Sequence, residues 1–223
     1  MQADTKTINI HQGILLKNDE LARRIRQRFN EIGTLVLNVL SSPGSGKTAL
    51  LEQTLSRLHP TCSCAVIVGD LATDNDARRL RRAGAPVVQI TTGTVCHLEA
   101  SMIEQACSEL DLKSCRVLFI ENVGNLVCPA SYDLGESLRV VLLAVTEGED
   151  KPLKYPKIFK TADLILVTKM DLAGLAGFDL EQVRSNLATI APQAEVIYLS
   201  SRNGEGMDAW LNWIQQRAGT CRV

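Results

Sequence analysis

The 223-residue chain is 45% hydrophobic and 22% charged, the balance of a globular protein with a substantial core, and its aromatic share of 4% predicts a core of aliphatic side chains. Lys+Arg at 24 against Asp+Glu at 25 leaves a net charge of -1, which excludes a global field for nucleic acid or an acidic membrane, so partners must be recognised locally. The polar start Met1 to Lys6 lacks a signal-peptide stretch and no later run approaches the roughly 20 apolar residues of a membrane span, so a cytoplasmic protein is expected, whose seven cysteines read as thiols or metal ligands before disulfides.

In chain order, residues 15–32 come first. Leu21, Ile25, Phe29 and Ile32 recur at spacings of three and four above a charged face, which predicts an amphipathic helix. Residues 1–33 are expected to form an N-terminal segment whose helix packs on one domain spanning 34–223. That domain carries short apolar runs at 35–40, 65–68, 86–90, 116–120, 138–145, 163–167 and 195–199, separated by helical patterns. The alternation predicts an α/β fold, a doubly wound, mostly parallel sheet of about seven strands with helices on both faces, which the motif at residues 41–48 makes one of the P-loop NTPase kind. Such sheets bind ligands at the carboxyl ends of their strands. The basic stretch Arg78-Arg79-Leu80-Arg81-Arg82 reads as a solvated helix face.

The first run leads into Ser41-Ser42-Pro43-Gly44-Ser45-Gly46-Lys47-Thr48 and then a helical pattern, the context of a phosphate-binding loop. Backbone N–H groups from Gly44 to Ala49 can curl around a phosphate, Lys47 reaches the β- and γ-oxygens as a catalytic candidate, and Thr48 offers a hydroxyl to Mg²⁺. Ser41 stands where the general pattern has its first glycine. The run at 163–167 ends in Thr168-Lys169-Met170-Asp171, which resembles the Asn-Lys-x-Asp motif of GTPases with Thr168 in place of Asn. Asp171 can accept from guanine N1–H and N2–H₂ while the Lys169 stem lies along the base. The other reading of Asp171 is a helix cap. Ser200-Ser201-Arg202, after the last run, resembles the Ser-Ala-Lys loop that closes over guanine.

Mg²⁺ and an attacking water need carboxylates near the γ-phosphate. Gly69-Asp70-Leu71-Ala72-Thr73-Asp74-Asn75-Asp76 and Glu121-Asn122-Val123-Gly124 each follow a strand. Asp70 is expected near the water as a second catalytic candidate, Asp76 and Glu121 near the metal, directly or through water, and the Gly124 N–H at the γ-phosphate. For Asp74 and Asp76 a helix N-cap is the alternative. Cys96-His97 at a loop-to-helix junction offers two ligands for Ni²⁺ or Zn²⁺, and Cys128, seven residues beyond Glu121, is a third candidate.

Taken together, the phosphate loop, Gly-Asp-Leu-Ala-Thr-Asp-Asn-Asp, Cys-His-Leu-Glu-Ala, Glu-Asn-Val-Gly-Asn-Leu-Val-Cys-Pro and the stretch from Val145 to Pro156 resemble the HypB family, GTPases of nickel incorporation into [NiFe] hydrogenases, over residues 15–217. The resemblance implies GTP hydrolysis to GDP with Mg²⁺ and a GTP-promoted homodimer in which Cys96, His97 and Cys128 of each subunit bind Ni²⁺ or Zn²⁺. It also implies a HypA-type nickel chaperone as partner and, indirectly, a hydrogenase large-subunit precursor. The chain has neither a histidine-rich tract nor a Cys-x-x-Cys-Gly-Cys start, only His11, so N-terminal nickel storage is not expected. Alternatives are a urease-type nickel GTPase, which carries Cys-Pro-His where this chain has Val95-Cys96-His97, an ATP-dependent small-molecule kinase, and a metal-storage or scaffold protein. Cys62, Cys64, Cys107, Cys115 and Cys221 read as structural thiols, with the spacing of Cys62 and Cys64 placing both on one side of a strand.

Overall fold

The structure, a computed structural model, describes residues 10–59 and 61–219, with side chains from Gly13 onward; the side chain of His11 and all of Cys221 fall outside the described residues. Seven strands, β1 (Leu35–Ser41), β2 (Cys64–Asp70), β3 (Val87–Thr91), β4 (Val117–Glu121), β5 (Leu138–Ala144), β6 (Leu164–Thr168) and β7 (Glu195–Tyr198), form one sheet in the order β3-β2-β4-β1-β5-β6-β7. Every pairing is parallel, so the expected mostly parallel sheet is wholly so among the described residues.

The helices are α1 (Ile10–Ile32), α2 (Lys47–Leu58), α3 (Asn75–Arg82), α4 (Ala100–Ser108), α5 (Lys151–Lys154), α6 (Pro156–Lys160), α7 (Ala173–Ala176), α8 (Leu180–Ile190) and α9 (Met207–Ala218). α1 begins at Ile10, five residues before the start that apolar periodicity marks. The pleat sends successive strand residues to opposite faces: Leu37 and Val39 pack under α2, α3 and α9, while Val36 packs under α1 and α4. Leu40, Val141 and Ile165 meet α6 and α8. Strands covered on both faces need continuous apolar runs, and the aliphatic composition supplies them.

β1 lies between β4 and β5; the chain crosses from it to β2 and β3 on one side, returns to β4 beside it, and then runs outward through β5, β6 and β7 on the other. A crevice opens at the carboxyl end of strands at such a reversal. The Ser41 to Thr48 loop sits there because it connects β1 to α2.

Candidate functional site

Gly44 at φ 75° and Gly46 at φ 98° supply left-handed backbone that other residues adopt only with strain, turning the chain from β1 into α2. Within the turn Lys47, 8% exposed, donates from Nζ to Ser41 Oγ at 2.9 Å. Ser41 thus gives the buried ammonium a resting partner that a glycine could not. Burial lowers the Lys47 pKa, opposed by the charges of Glu121, Asp76, Glu147 and Asp70. Glu121 ends β4 fully enclosed; burial pushes its carboxyl up to about 7 against the pull of Lys47 and the Thr48 hydroxyl, which donates to Oε1 at 2.7 Å.

A cavity of about 400 Å³ opens over this turn, bringing Gly44, Gly46, Lys47, Thr48 and Ala49 together with Asp70, Asp76, Glu121 and Gly124. A larger cavity of about 480 Å³ lies at the other end of the strands, beside Cys64 and Pro86, away from every residue of the phosphate loop. Gly124 approaches the loop so closely that a Cβ would stand 3.0 Å from Pro43 Cα. Asp70 accepts from the backbone N–H of Thr73 at 2.8 Å and of Ala72 at 2.9 Å. Burial raises its pKa, but these bonds outweigh burial and hold it below the ordinary value. Asp74 occupies the N-cap position of α3 without a capping bond and pairs with Arg78 at 3.1 Å; Asp76 lies inside the first turn.

On the other side of the loop, buried Thr168 donates to the Ser45 carbonyl at 2.8 Å, tying β6 to the phosphate turn. Lys169 has φ 61°, alone among the described non-glycine residues in that region. Asp171 lies inside the short turn Met170–Leu172 and not at its N-cap position, accepts from Ser200 Oγ at 2.6 Å and lies 4.0 Å from Arg202 Nη1. Ser201 is half-buried next to Ser200 in the chain, and none of Thr168, Lys169, Asp171, Ser200, Ser201 and Arg202 lines the phosphate cavity. Sequence reasoning gave no role to Glu147, whose Oε1 lies 2.6 Å from Ser45 Oγ and accepts from the Ala144 N–H at 3.1 Å. A signal was present in the sequence, since Glu147 lies three residues after β5 in the stretch from Val145 to Pro156.

Donor atoms of Cys96, His97 and Cys128 lie within 4.8 Å of one another. The two sulfurs are 2.8 Å apart, and this contact, with burial, raises the Cys128 thiol. Both His97 ring nitrogens are buried without a hydrogen bond; Nε2 stands 3.5 Å from Glu99 Oε1, too far to satisfy it. The ring stacks on Tyr132 with centroids 3.8 Å apart, and Asn125 Nδ2 donates to the Cys96 carbonyl at 3.3 Å. Thiolates and an imidazole with free lone pairs are the donor set for Ni²⁺ or Zn²⁺. Elsewhere, burial pushes the Cys64 thiol up to about 12 and those of Cys107 and Cys115 up to about 11, the state of structural thiols. Cys62 departs from expectation, because it is disulfide-bonded.

An all-parallel sheet with a phosphate loop at its switch point and carboxylates from neighbouring strands define a P-loop nucleotide-binding protein, here with a Cys/His cluster beside the nucleotide end. The sequence matches the family described as CobW/HypB/UreG, nucleotide-binding domain, over residues 35–198. The chain belongs to that family and, within it, to the HypB group. Hydrogenase maturation factor HypB of Escherichia coli (strain K12) is 51% identical over 210 residues, covering 94% of this chain and 72% of that protein. Hydrogenase/urease maturation factor HypB of Helicobacter hepaticus is 46% identical, covering 95% and 88%. The crystal structure of HypB from Helicobacter pylori in complex with nickel matches with a TM-score of 0.87 at 42% identity, covering 91% of this chain and 95% of that one.

Proposed function

We propose that the chain hydrolyses GTP and carries nickel on Cys96, His97 and Cys128 during hydrogenase maturation, with the nucleotide controlling the metal site. One observation carries the coupling: residues 122–128 run directly from Glu121, a wall of the phosphate cavity, to Cys128 in the cluster. A γ-phosphate accepting the Gly124 N–H would therefore pull on a segment that ends in a metal ligand.

The roles follow from placement. Backbone N–H groups of residues 44–49 cradle the phosphates, and Lys47 neutralises charge on the transferring group. Asp70, held by the backbone bonds of Ala72 and Thr73, orients the attacking water. Glu121 Oε2, buried without a partner beside the Thr48 hydroxyl, suits a hard cation. Thr48, Glu121, Asp76 and Asp70 would hold Mg²⁺, directly or through water, and the ion would neutralise charge between the β- and γ-phosphates. Asp171 selects guanine, with Thr168, Lys169, Ser200, Ser201 and Arg202 enclosing the base.

Three ligands leave a coordination set incomplete, which a two-fold-related second copy would fill. Exposed Val127 beside Cys128 and Leu71 beside Asp70 give that face apolar surface. On this reading the GTP-bound protein is a cytoplasmic homodimer; residues 1–33 form a segment added to a GTPase domain at 34–223. A HypA-type chaperone exchanges nickel with it, and the hydrogenase large-subunit precursor is the eventual client. Zn²⁺ is the competing occupant. The joint hydrogenase/urease name of the Helicobacter hepaticus relative favours urease as a second client, which assays of both enzymes in a deletion strain would decide.

The test is a nickel titration in GDP and in a non-hydrolysable GTP analogue, with molar mass followed by light scattering. Nickel affinity should differ between the two states, and the analogue should give a dimer. Cys96→Ala and Cys128→Ala should each abolish tight nickel binding. If either variant binds as the unmodified protein does in both nucleotide states, the assignment fails.

A further inference from the structure

The apolar stripe of α1 runs through Ala22, Ile25 and Phe29, and continuing it by four residues toward the N-terminus gives Asn18, 8% exposed. An amide on a buried helix face is costly unless its donor and acceptor are both used. Both are used here. Asn18 Oδ1 accepts from the Ala100 N–H at 2.8 Å, and Asn18 Nδ2 donates to the Asp133 carbonyl at 2.7 Å.

The partners are the two segments that carry the cluster. Ala100 opens α4 three residues after His97, and Glu99 at the N-cap position makes no capping bond, so α4 takes its cap from another helix. Asp133 directly follows Tyr132, whose ring lies on His97, and stands five residues after Cys128. The grip on the second segment is repeated: Arg26 of α1 pairs with Asp133 at 2.5 Å and donates from Nε to the Glu136 carbonyl at 2.9 Å. Gly135, at φ 79°, approaches α1 so closely that a Cβ would stand 2.8 Å from the Ala22 carbonyl oxygen.

We propose that Asn18 is a positioning residue for the metal site: by bonding Ala100 and Asp133 at once, it sets the separation of the Cys96-His97 segment from the Cys128-Tyr132 segment. The inference rests on nickel binding at Cys96, His97 and Cys128. It makes α1 part of the metal site's frame, although no residue of α1 is a ligand.

The test uses the full chain, Asn18→Ala and Asn18→Asp, with Cys96→Ala as control. Nickel affinity is measured by equilibrium dialysis, the thiolate-to-nickel bands by absorption, GDP affinity by fluorescence and folding by circular dichroism. Asn18→Asp keeps an acceptor for the Ala100 N–H but loses the donor to Asp133, so it retains the α4 cap while leaving the second segment held by Arg26 without Asn18. Both variants should lose about 10-fold or more in nickel affinity, the scale of outer-shell metal partners, and show displaced bands with GDP affinity unchanged. Wild-type nickel affinity and bands in either folded variant would overturn the proposal. A parallel fall in nickel and GDP affinity would also overturn it, by making Asn18 a general structural residue. If the unmodified protein and Cys96→Ala bind nickel equally, the underlying site assignment fails instead.

Discussion

At the carboxyl end of β1 the donors have found partners within one chain, Lys47 on Ser41, Thr48 on Glu121 and Thr168 on the Ser45 carbonyl, and the buried atoms left without a hydrogen bond are acceptors, Glu121 Oε2 and Glu147 Oε2. The Cys/His cluster is different. His97 keeps both ring nitrogens buried without a hydrogen bond, and Cys96 and Cys128 meet at a half-buried surface. A site whose donors are already held by the protein keeps much of its shape before ligand arrives; one whose ring nitrogens are all unpartnered takes more of its final form from what binds. The contrast assigns the two sites different work. On the proposed function, the phosphate site would be the more fixed sensor, and the cluster the part that changes geometry if the nucleotide shifts residues 122–128.

The largest effect that could break this contrast is at Lys47. Lys47→Ala removes the cation facing the phosphates, and GTP turnover should fall on the order of 100-fold or more, read as phosphate release. Nickel affinity without nucleotide should not change, because the hydrogen bond of Lys47 Nζ lies within the phosphate turn and Lys47 is not among the cluster's residues. A variant that lost nickel equally would show that the two sites are not separable.

A smaller effect belongs to the cluster's own support. Tyr132→Leu keeps apolar bulk but removes the ring stacked on His97. Stacked pairs contribute about 0.5–1.5 kcal/mol, so nickel affinity should drop by roughly 2- to 10-fold while basal GTP turnover stays constant. An unchanged affinity would mean that other neighbours alone fix the imidazole.

These two predictions draw on different sources. Lys47, Thr48, Asp70 and Glu121 were legible in the sequence because each follows an apolar run, and parallel sheets bring the carboxyl ends of strands to one edge. Cys96, His97 and Cys128 were legible as ligand types, and the fold brings them within 4.8 Å. Tyr132 and Asn18 were not legible. Tyr132 meets His97 only because the segment before β5 crosses the start of α4, a tertiary fact with no local pattern. Asn18 left a trace, a polar residue in register with Ala22, Ile25 and Phe29, but register alone names no partner. The disulfide at Cys62 escaped for another reason: cysteine count and the expected compartment pointed to thiols, and neither carries geometry.

The smallest effect tests whether the phosphate site is satisfied before ligand arrives. Ser41 accepts from Lys47 and donates to the Ser42 carbonyl at 2.6 Å. Ser41→Ala removes both bonds with little change of volume and leaves a buried ammonium without that acceptor. The nucleotide-free protein should lose about 1–3 kcal/mol of stability, the cost of an unsatisfied buried partner, measured by urea unfolding. GDP supplies phosphate oxygens to the same ammonium, so at saturating GDP the loss should shrink to a few tenths, roughly the residual expected when a partner is replaced. GDP should accordingly bind the variant more tightly, since binding repairs a defect in the free state. Equal destabilisation with and without GDP would instead mean that Lys47 keeps its hold on Ser41 when phosphate is present, and that the serine belongs to the bound site as much as to the resting one.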